Sequence, residues 1–173
     1  MTNIVLIGMP GCGKSTVGVL LARALGMTFV DTDTVFQKRE NRKLQPMMDE
    51  IGVDAFLQRE EEAVCSLDVQ GAVIATGGSV VYGQRAMAHL HDGGLVVYIR
   101  LPYEVIERRL SNLATRGVTL RPGQTLRNLY DERIPLYERE ADVVFDASDG
   151  TIEEAAAALA DCLRARMEAA HGV

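Results

Sequence analysis

A complete phosphate-binding loop near the N-terminus constrains this chain more than any other feature. Residues 8–15 read Gly-Met-Pro-Gly-Cys-Gly-Lys-Ser, which matches the pattern G-x-x-x-x-G-K-[ST] at every specified position. The pattern is informative when it lies between a strand and a helix, and both are predicted here. Residues 4–7 are apolar and mainly β-branched, and the apolar residues of 17–25 recur with helical spacing. The sequence therefore predicts that a nucleoside triphosphate binds at this turn.

The residue types of the loop suit that role. Glycines allow the backbone to wrap around a polyphosphate, and the free N–H groups of a helix N-terminus point at the anion. Lys14 is expected to reach the β- and γ-phosphates, and Ser15 is expected to bind Mg²⁺. A thiol at a helix N-terminus can be reactive, but a small residue that fits the loop is the simpler interpretation of Cys12. The predicted nucleotide contacts are Gly11, Cys12, Gly13, Lys14, Ser15 and Thr16.

Composition limits the classes of partner. A chain of 173 residues is long enough for one domain with its own core, so residues 1–173 are predicted to form a single domain. The net charge of −6 argues against nucleic acid, and no apolar stretch is long enough to span a membrane. The three cysteines are scattered, which favours neither disulfides nor zinc. We therefore expect a cytoplasmic protein, most simply a monomer, that acts on a small molecule.

Short apolar strands alternate with helical segments along the chain. Such alternation predicts a three-layer α/β fold, with a parallel sheet between helices. Ligands of such folds bind at the carboxyl ends of the strands. Three of those ends carry suggestive residues, namely the phosphate loop, Asp31-Thr32-Asp33 and Gly77-Gly78-Ser79. The strands are predicted near 3–8, 28–31, 72–76, 95–99 and 142–146.

A long segment at 113–124 breaks the helical pattern and contains glycine and proline. A loop of this length in a small domain is often functional. Because it contains Arg116 and Arg121, we expect a lid that closes over the nucleotide, with a plain surface loop as the alternative. Eight of the fifteen arginines lie between residues 100 and 139, which favours anionic ligands on this side.

Two acidic residues follow the second strand and suggest phosphoryl transfer. That reaction needs a metal ion to neutralise phosphate oxygens and a group that orients the acceptor hydroxyl. Asp31 is placed to hold Mg²⁺ together with Ser15, and Asp33 is placed to accept the proton of the hydroxyl. The alternative is that the two aspartates only form a turn and a helix N-cap. The chain contains no Asn-Lys-x-Asp and no Leu-Ser-Gly-Gly-Gln, so GTPases and transporter ATPases are not supported.

Four motifs in order resemble the shikimate kinase family over nearly the whole chain. The resemblance implies a P-loop kinase fold, a five-stranded parallel sheet of order 2-3-1-4-5 with flanking helices and a lid. It also implies that the protein uses ATP and Mg²⁺ to phosphorylate shikimate to shikimate 3-phosphate. The matching segments are Gly8–Ser15, Asp31-Thr32-Asp33, Ala75-Thr76-Gly77-Gly78 and Arg133-Ile134-Pro135-Leu136-Tyr137.

The resemblance also implies roles for individual residues. Asp33 would contact the acceptor diol, and backbone N–H groups of Gly77 and Gly78 would approach the substrate. Arg133 would bind the substrate carboxylate, for which a guanidinium fork is suited. Arg116 would be the lid arginine on the phosphates, with Arg121 as the second choice. Lys14, Asp33 and Arg116 are thus the predicted catalytic residues.

The chain departs from the family pattern on the acceptor side. Leu57 stands where the family has an arginine that forms the second arm of the carboxylate clamp, and Ser79 replaces the third glycine. Either another arginine supplies the arm, such as Arg39 or Arg85, or the acceptor is a smaller hydroxy acid such as homoserine. Two rival interpretations are a nucleotide kinase and a non-catalytic ATP-binding module.

Overall fold

A five-stranded parallel sheet forms the centre of the computed structural model, which describes residues 2–111, 118–148 and 150–171. Every pair of neighbouring strands is parallel. Their order is β2-β3-β1-β4-β5, so the predicted order 2-3-1-4-5 is confirmed. The strands are β1 (Asn3–Ile7), β2 (Thr28–Asp31), β3 (Ala72–Ala75), β4 (Gly94–Arg100) and β5 (Val143–Asp146).

Helices flank the sheet. Helix α1 packs against α8 and β3, whereas α4 packs against α5, which in turn contacts β4. In the described ranges no helix combines the length and the apolar character that crossing a membrane requires. The helices are α1 (Lys14–Leu25), α2 (Thr32–Glu40), α3 (Leu44–Ile51), α4 (Val53–Cys65), α5 (Gln84–Gly93), α6 (Tyr103–Ser111), α7 (Leu126–Glu140) and α8 (Ile152–His171).

One helix end and one short turn differ from the sequence-based expectation. The sequence pattern predicts a helix near 53–69, but α4 ends at Cys65. The Ser66 hydroxyl donates to the carbonyl oxygen of Ala63 at 2.7 Å. Serine side chains compete in this way with helical backbone bonds. A 3₁₀ turn at Val80–Tyr82, which the sequence did not indicate, follows β3.

The apolar core has two parts. All five residues of β1 are buried, as expected for a central strand that is covered on both faces. A second cluster joins α2, α3 and α4 and positions them beside the carboxyl end of the sheet. Leu57 packs against this cluster, whose buried members are Phe36, Met47, Met48, Phe56 and Ala63.

The segment that was predicted to be a lid is described only in part. Residues 112–117, and therefore Arg116, lie outside the described residues, whereas 118–124 are described. In the described part, Arg121 forms an ion pair with Asp54 of α4 at 2.8 Å. This contact connects the end of the segment to the wall that α3 and α4 form.

Candidate active site

A cleft of about 800 Å³ opens at the carboxyl ends of β1, β2 and β3. Three stretches of chain line it: the phosphate loop, the first half of α2 with the start of α3, and the turn after β3. This is the position expected for a ligand in an open parallel sheet. Of the predicted site residues, the lining includes Gly11, Gly13, Lys14, Ser15, Thr16, Asp33 and Gly78.

The phosphate loop is wrapped around its own lysine. Gly11 and Gly13 have φ of +77° and +93°, a backbone conformation that favours glycine. The buried Lys14 ammonium donates to the carbonyl oxygens of Gly8 and Met9 at 2.8 and 2.9 Å. Cys12 is also buried, and its Sγ lies 3.6 Å from Lys14 Nζ. The positive charge is therefore held by the loop at the place where a polyphosphate is expected.

Asp31 and Ser15 form the candidate metal site. Ser15 Oγ donates to Asp31 Oδ2 at 2.8 Å. The other carboxylate oxygen, Oδ1, accepts the backbone N–H groups of Asp33 and Thr34, so that Asp31 is the N-cap of α2. A hydroxyl beside a carboxylate is a ligand set of the kind that Mg²⁺ prefers, because Mg²⁺ binds hard oxygen donors. Asp31 thus combines the capping role with an orientation suitable for a metal ion.

Asp33 lies in the cleft, in the first turn of α2. The pKa of its carboxyl is raised from 3.8 to about 6, first by burial and then by the nearby Asp31 carboxylate, while the Lys14 ammonium opposes the shift. A carboxyl with a pKa close to neutrality is well matched to accepting a proton from a bound hydroxyl. Because Asp31 caps the helix, the side chain of Asp33 remains available to a ligand.

Glu60 is a site residue that the sequence analysis missed. It lies on α4, is only 5% exposed, and accepts a hydrogen bond from Ser79 Oγ at 2.7 Å. Burial raises its pKa from 4.5 to about 7; the Ser79 hydrogen bond opposes this, the Asp33 charge adds to it, and the Arg133 charge opposes it. The sequence does contain a signal for Glu60. It is a charged residue on the apolar face of α4, because Phe56 and Val64, one turn before and one turn after it, are both buried.

Arg133 projects from α7 and is 1% exposed. Its guanidinium lies over the Tyr82 ring, with its carbon 5.3 Å from the ring centre, and makes long contacts to Tyr82 Oη (3.4 Å) and to the Thr119 carbonyl oxygen (3.5 Å). Within the described ranges, the ion pairs to carboxylates within 4 Å do not include Arg133. A buried cation without an anion is costly. This guanidinium is therefore suited to an anionic group of a ligand.

The turn that follows β3 brings Arg133 to the cleft. Gly77 N–H donates to Thr32 Oγ1 at 3.1 Å, and the Gly78 carbonyl accepts from Tyr137 Oη at 2.5 Å. A methyl group at Gly78 would lie 3.0 Å from Arg133 Nη1. The small Gly78 thus leaves the guanidinium close to the lining of the cleft.

The remaining predicted arginines are placed elsewhere. Arg39 contacts Glu62 through its carbonyl oxygen (3.1 Å) and its carboxylate (3.5 Å), and neither Arg39 nor Arg85 lines the cleft. Arg121 is paired with Asp54 and does not line the cleft either. The structure therefore brings together the phosphate loop, Asp31, Asp33, Gly77, Gly78 and Arg133, and it leaves these arginines outside that group.

Comparison with known proteins agrees with this geometry. The family model described as shikimate kinase matches residues 10–164. The shikimate kinase of Thiobacillus denitrificans is 39% identical over 150 residues, which cover 84% of this chain and 81% of that protein. The shikimate kinase of Caldanaerobacter subterraneus subsp. tengcongensis is 36% identical over 159 residues, which cover 90% and 92%.

A similar fold is found in a solved structure. Shikimate kinase from Acinetobacter baumannii, determined in complex with shikimate, matches with a TM-score of 0.85 and 28% identity, over 96% of this chain and 94% of that one. The sequence and fold relationships cover nearly the whole molecule. The chain therefore belongs to the shikimate kinase family, and it is an ATP-dependent phosphotransferase.

Proposed function

We propose that this protein transfers the γ-phosphoryl group of ATP to a hydroxyl of shikimate and forms shikimate 3-phosphate. The observation that carries the proposal is Arg133, a buried guanidinium without a carboxylate partner in the described residues. It lies against Gly78, which lines the cleft together with Lys14 and Asp33. A small carboxylate that bears hydroxyl groups satisfies Arg133 with its carboxylate and presents a hydroxyl to Asp33.

On the nucleotide side, Gly11 to Thr16 bind the polyphosphate, and the Lys14 charge stabilises the β- and γ-phosphates. Ser15 and Asp31 hold Mg²⁺, which supplies neutralising charge to the phosphate oxygens. The hydrogen bond between Ser15 and Asp31 supports this pairing, since it brings both oxygens to one place. The nucleotide side thus follows the pattern of P-loop enzymes.

On the acceptor side, Asp33 orients the hydroxyl and accepts its proton. Gly77 and Gly78 leave room for the ligand to approach the backbone, and Arg133 binds the carboxylate in a forked arrangement. Residues 113–124 act as a lid of this single domain, with Arg116 or Arg121 contributing to the phosphates on closure. The surplus of arginines between residues 100 and 139 supports that last assignment.

The same proposal covers the setting of the enzyme. It acts as a cytoplasmic monomer on small molecules, without nucleic acid or membrane. The negative net charge supports the absence of nucleic acid partners.

L-Homoserine is the second candidate acceptor. Leu57 contributes an apolar side chain to the α2–α4 cluster in place of a guanidinium, so the acceptor end of the cleft carries less positive charge than the family pattern implies. A smaller hydroxy acid with its own ammonium group needs less positive charge from the protein.

A coupled assay of ADP release with ATP and Mg²⁺ tests the proposal, with shikimate and L-homoserine offered in parallel. We expect turnover with shikimate, with phosphorus NMR showing one phosphate ester product. Lys14→Met serves as the inactive control, because it removes the charge on the phosphates without changing the size of the side chain greatly. Turnover with homoserine alone would replace shikimate by the second candidate, and silence with both would refute the acceptor assignment.

A further inference from the structure

The positive charge that lines the cleft is divided between its two walls. Among the described residues, only Lys14 and Lys43 are cations of the cleft lining. Lys14 belongs to the phosphate loop and is engaged by two loop carbonyls. Lys43 belongs to the opposite stretch of chain, between α2 and α3, where Gln37 and Leu44 also line the cleft. Apart from Arg133, which approaches the cleft behind Gly78 without lining it, Lys43 is therefore the one described cation at the cleft that the phosphate loop does not use.

The arginines closest in sequence to this wall are occupied elsewhere. Arg59 pairs with Glu40 at 2.7 Å, and Arg42 pairs with Glu50. Arg39 contacts Glu62, as described above. None of the three lines the cleft. These three arginines therefore do not replace the carboxylate-binding guanidinium that the family pattern has at the position of Leu57.

Lys43 occupies a position that local chemistry disfavours for a cation. It is the N-cap of α3, and its side chain makes no capping hydrogen bond. N-caps favour Ser, Thr, Asp or Asn, and the positive end of the helix dipole repels an ammonium group. In the described part of the chain, its side chain has neither a hydrogen bond nor an ion pair. Lys43 is exposed at the edge of the cleft, where its ammonium is accessible to a bound anion.

We propose that Lys43 binds the carboxylate of the acceptor together with Arg133, and that it replaces the positive charge missing at Leu57. Arg133 reaches the cleft at Gly78, and Lys43 reaches it from the α2–α3 wall. A lysine ammonium on a flexible four-carbon stem meets one carboxylate oxygen, while the planar guanidinium meets the other. This inference rests on the proposed function, because it takes the acceptor to be a carboxylate.

The first test compares Lys43→Gln with Lys38→Gln, a matched change of an exposed lysine on α2 that does not line the cleft. We expect Lys43→Gln to raise the KM for shikimate by about 10- to 150-fold, the size of one charge-assisted hydrogen bond. The kcat and the KM for ATP should stay within about twofold for a change confined to binding of the acceptor. Lys43→Arg should keep the wild-type KM, and Lys38→Gln should change nothing.

A second variant separates a binding role from a structural one. Lys43→Ser introduces a preferred N-cap, so it should raise the melting temperature by about 2 °C while it raises the KM for shikimate as Lys43→Gln does. Shikimate methyl ester gives the third readout, because it lacks the carboxylate charge. Lys43→Gln should leave the KM for the ester unchanged and thereby reduce the preference of the enzyme for the acid.

Three outcomes with Lys43→Gln would overturn the inference. The KM for shikimate is unchanged, the KM for ATP rises instead, or the KM rises equally for shikimate and for its methyl ester. If the wild type accepts only L-homoserine, the assignment of shikimate as the acceptor fails. The role of Lys43 in binding the carboxylate is then tested in the same way with L-homoserine and its methyl ester. If the wild type turns over neither acid, both are overturned.

Discussion

The carboxylates of Asp33 and Glu60 face each other across Gly77. A methyl group built on Gly77 would collide with Glu60 Oε1 and would lie 2.9 Å from Asp33 Oδ1. The two acids come from α2 and α4, and the absence of a side chain at Gly77 lets both approach the turn that carries Gly78. Burial raises the pKa of both carboxyls, and the Asp33 charge raises the pKa of Glu60 as well. The acceptor end of the cleft is therefore tightly packed, and only a glycine at position 77 leaves room for both carboxylates.

Gly77→Ala should damage the acceptor site through this crowding. Glu60 is buried and held by Ser79, so it cannot move aside, and overpacking of this kind costs about 1–3 kcal/mol. A displaced Asp33 should lower kcat/KM for the acceptor by up to about 100-fold. Gly93→Ala is the matched control, since its new methyl group would have its nearest contact at 3.5 Å. Equal effects of the two substitutions, in steady-state kinetics and thermal melts, would contradict the steric argument.

Asp33→Asn should lower kcat much more than it affects the KM for ATP. The amide keeps the shape of the side chain but cannot accept the proton of the hydroxyl, a loss that typically costs about 10²- to 10⁴-fold in rate. In the wild type, kcat/KM for the acceptor should rise with pH through about 6, where Asp33 ionises. The variant should lose this rise. A fall in melting temperature with kcat preserved would show instead that Asp33 is structural.

Glu60→Gln should change how the stability depends on pH. The folded protein keeps the Glu60 proton up to a pH of about 7, whereas the unfolded chain loses it near 4.5. Unfolding is therefore favoured as the pH rises between these values, and the wild type should lose on the order of 3 kcal/mol from this group. Glutamine still accepts the Ser79 hydrogen bond and does not ionise. Urea unfolding at pH 4.5, 6 and 8 should show the variant gaining stability relative to the wild type, and parallel pH profiles would refute this.

Arg133→Ala should raise the KM for the acceptor by one to two orders of magnitude, because a hydrogen bond to a charged group contributes about 1.5–3 kcal/mol. Arg133→Lys should recover part of this, since it keeps the charge but loses the planar fork. Arg127→Ala provides a control on the same helix, at an exposed residue paired with Asp131. An acceptor KM that is the same in all three variants and the wild type would exclude Arg133 from the carboxylate site.

Motifs with local geometry could be predicted well from the sequence. The phosphate loop needs only a strand, two left-handed glycines and a helix start, all within one short stretch. Thr151 and Glu154 match the sequence pattern of a capping box, and the structure contains both of its reciprocal hydrogen bonds. The alternation of strands and helices indicated a parallel sheet, because parallel strands require crossover connections. The strand order came from the family resemblance, and the structure confirms it.

Tertiary packing decides which further residues join those motifs at the cleft. Glu60 becomes part of the site because α4 carries it against Ser79, nineteen positions away in the chain. Arg133 is placed by α7 against the Tyr82 ring, where the described part of the chain offers it no carboxylate within 4 Å.

The sequence by itself predicted which residues would bind phosphate and how their loop is built, since hydrogen bonds within one turn depend on nearest neighbours. Only the tertiary structure decided which charges are paired, buried or left open to a ligand. Desolvation and ion pairing depend on residues that are distant along the chain, and a local sequence pattern does not show which distant residues come into contact.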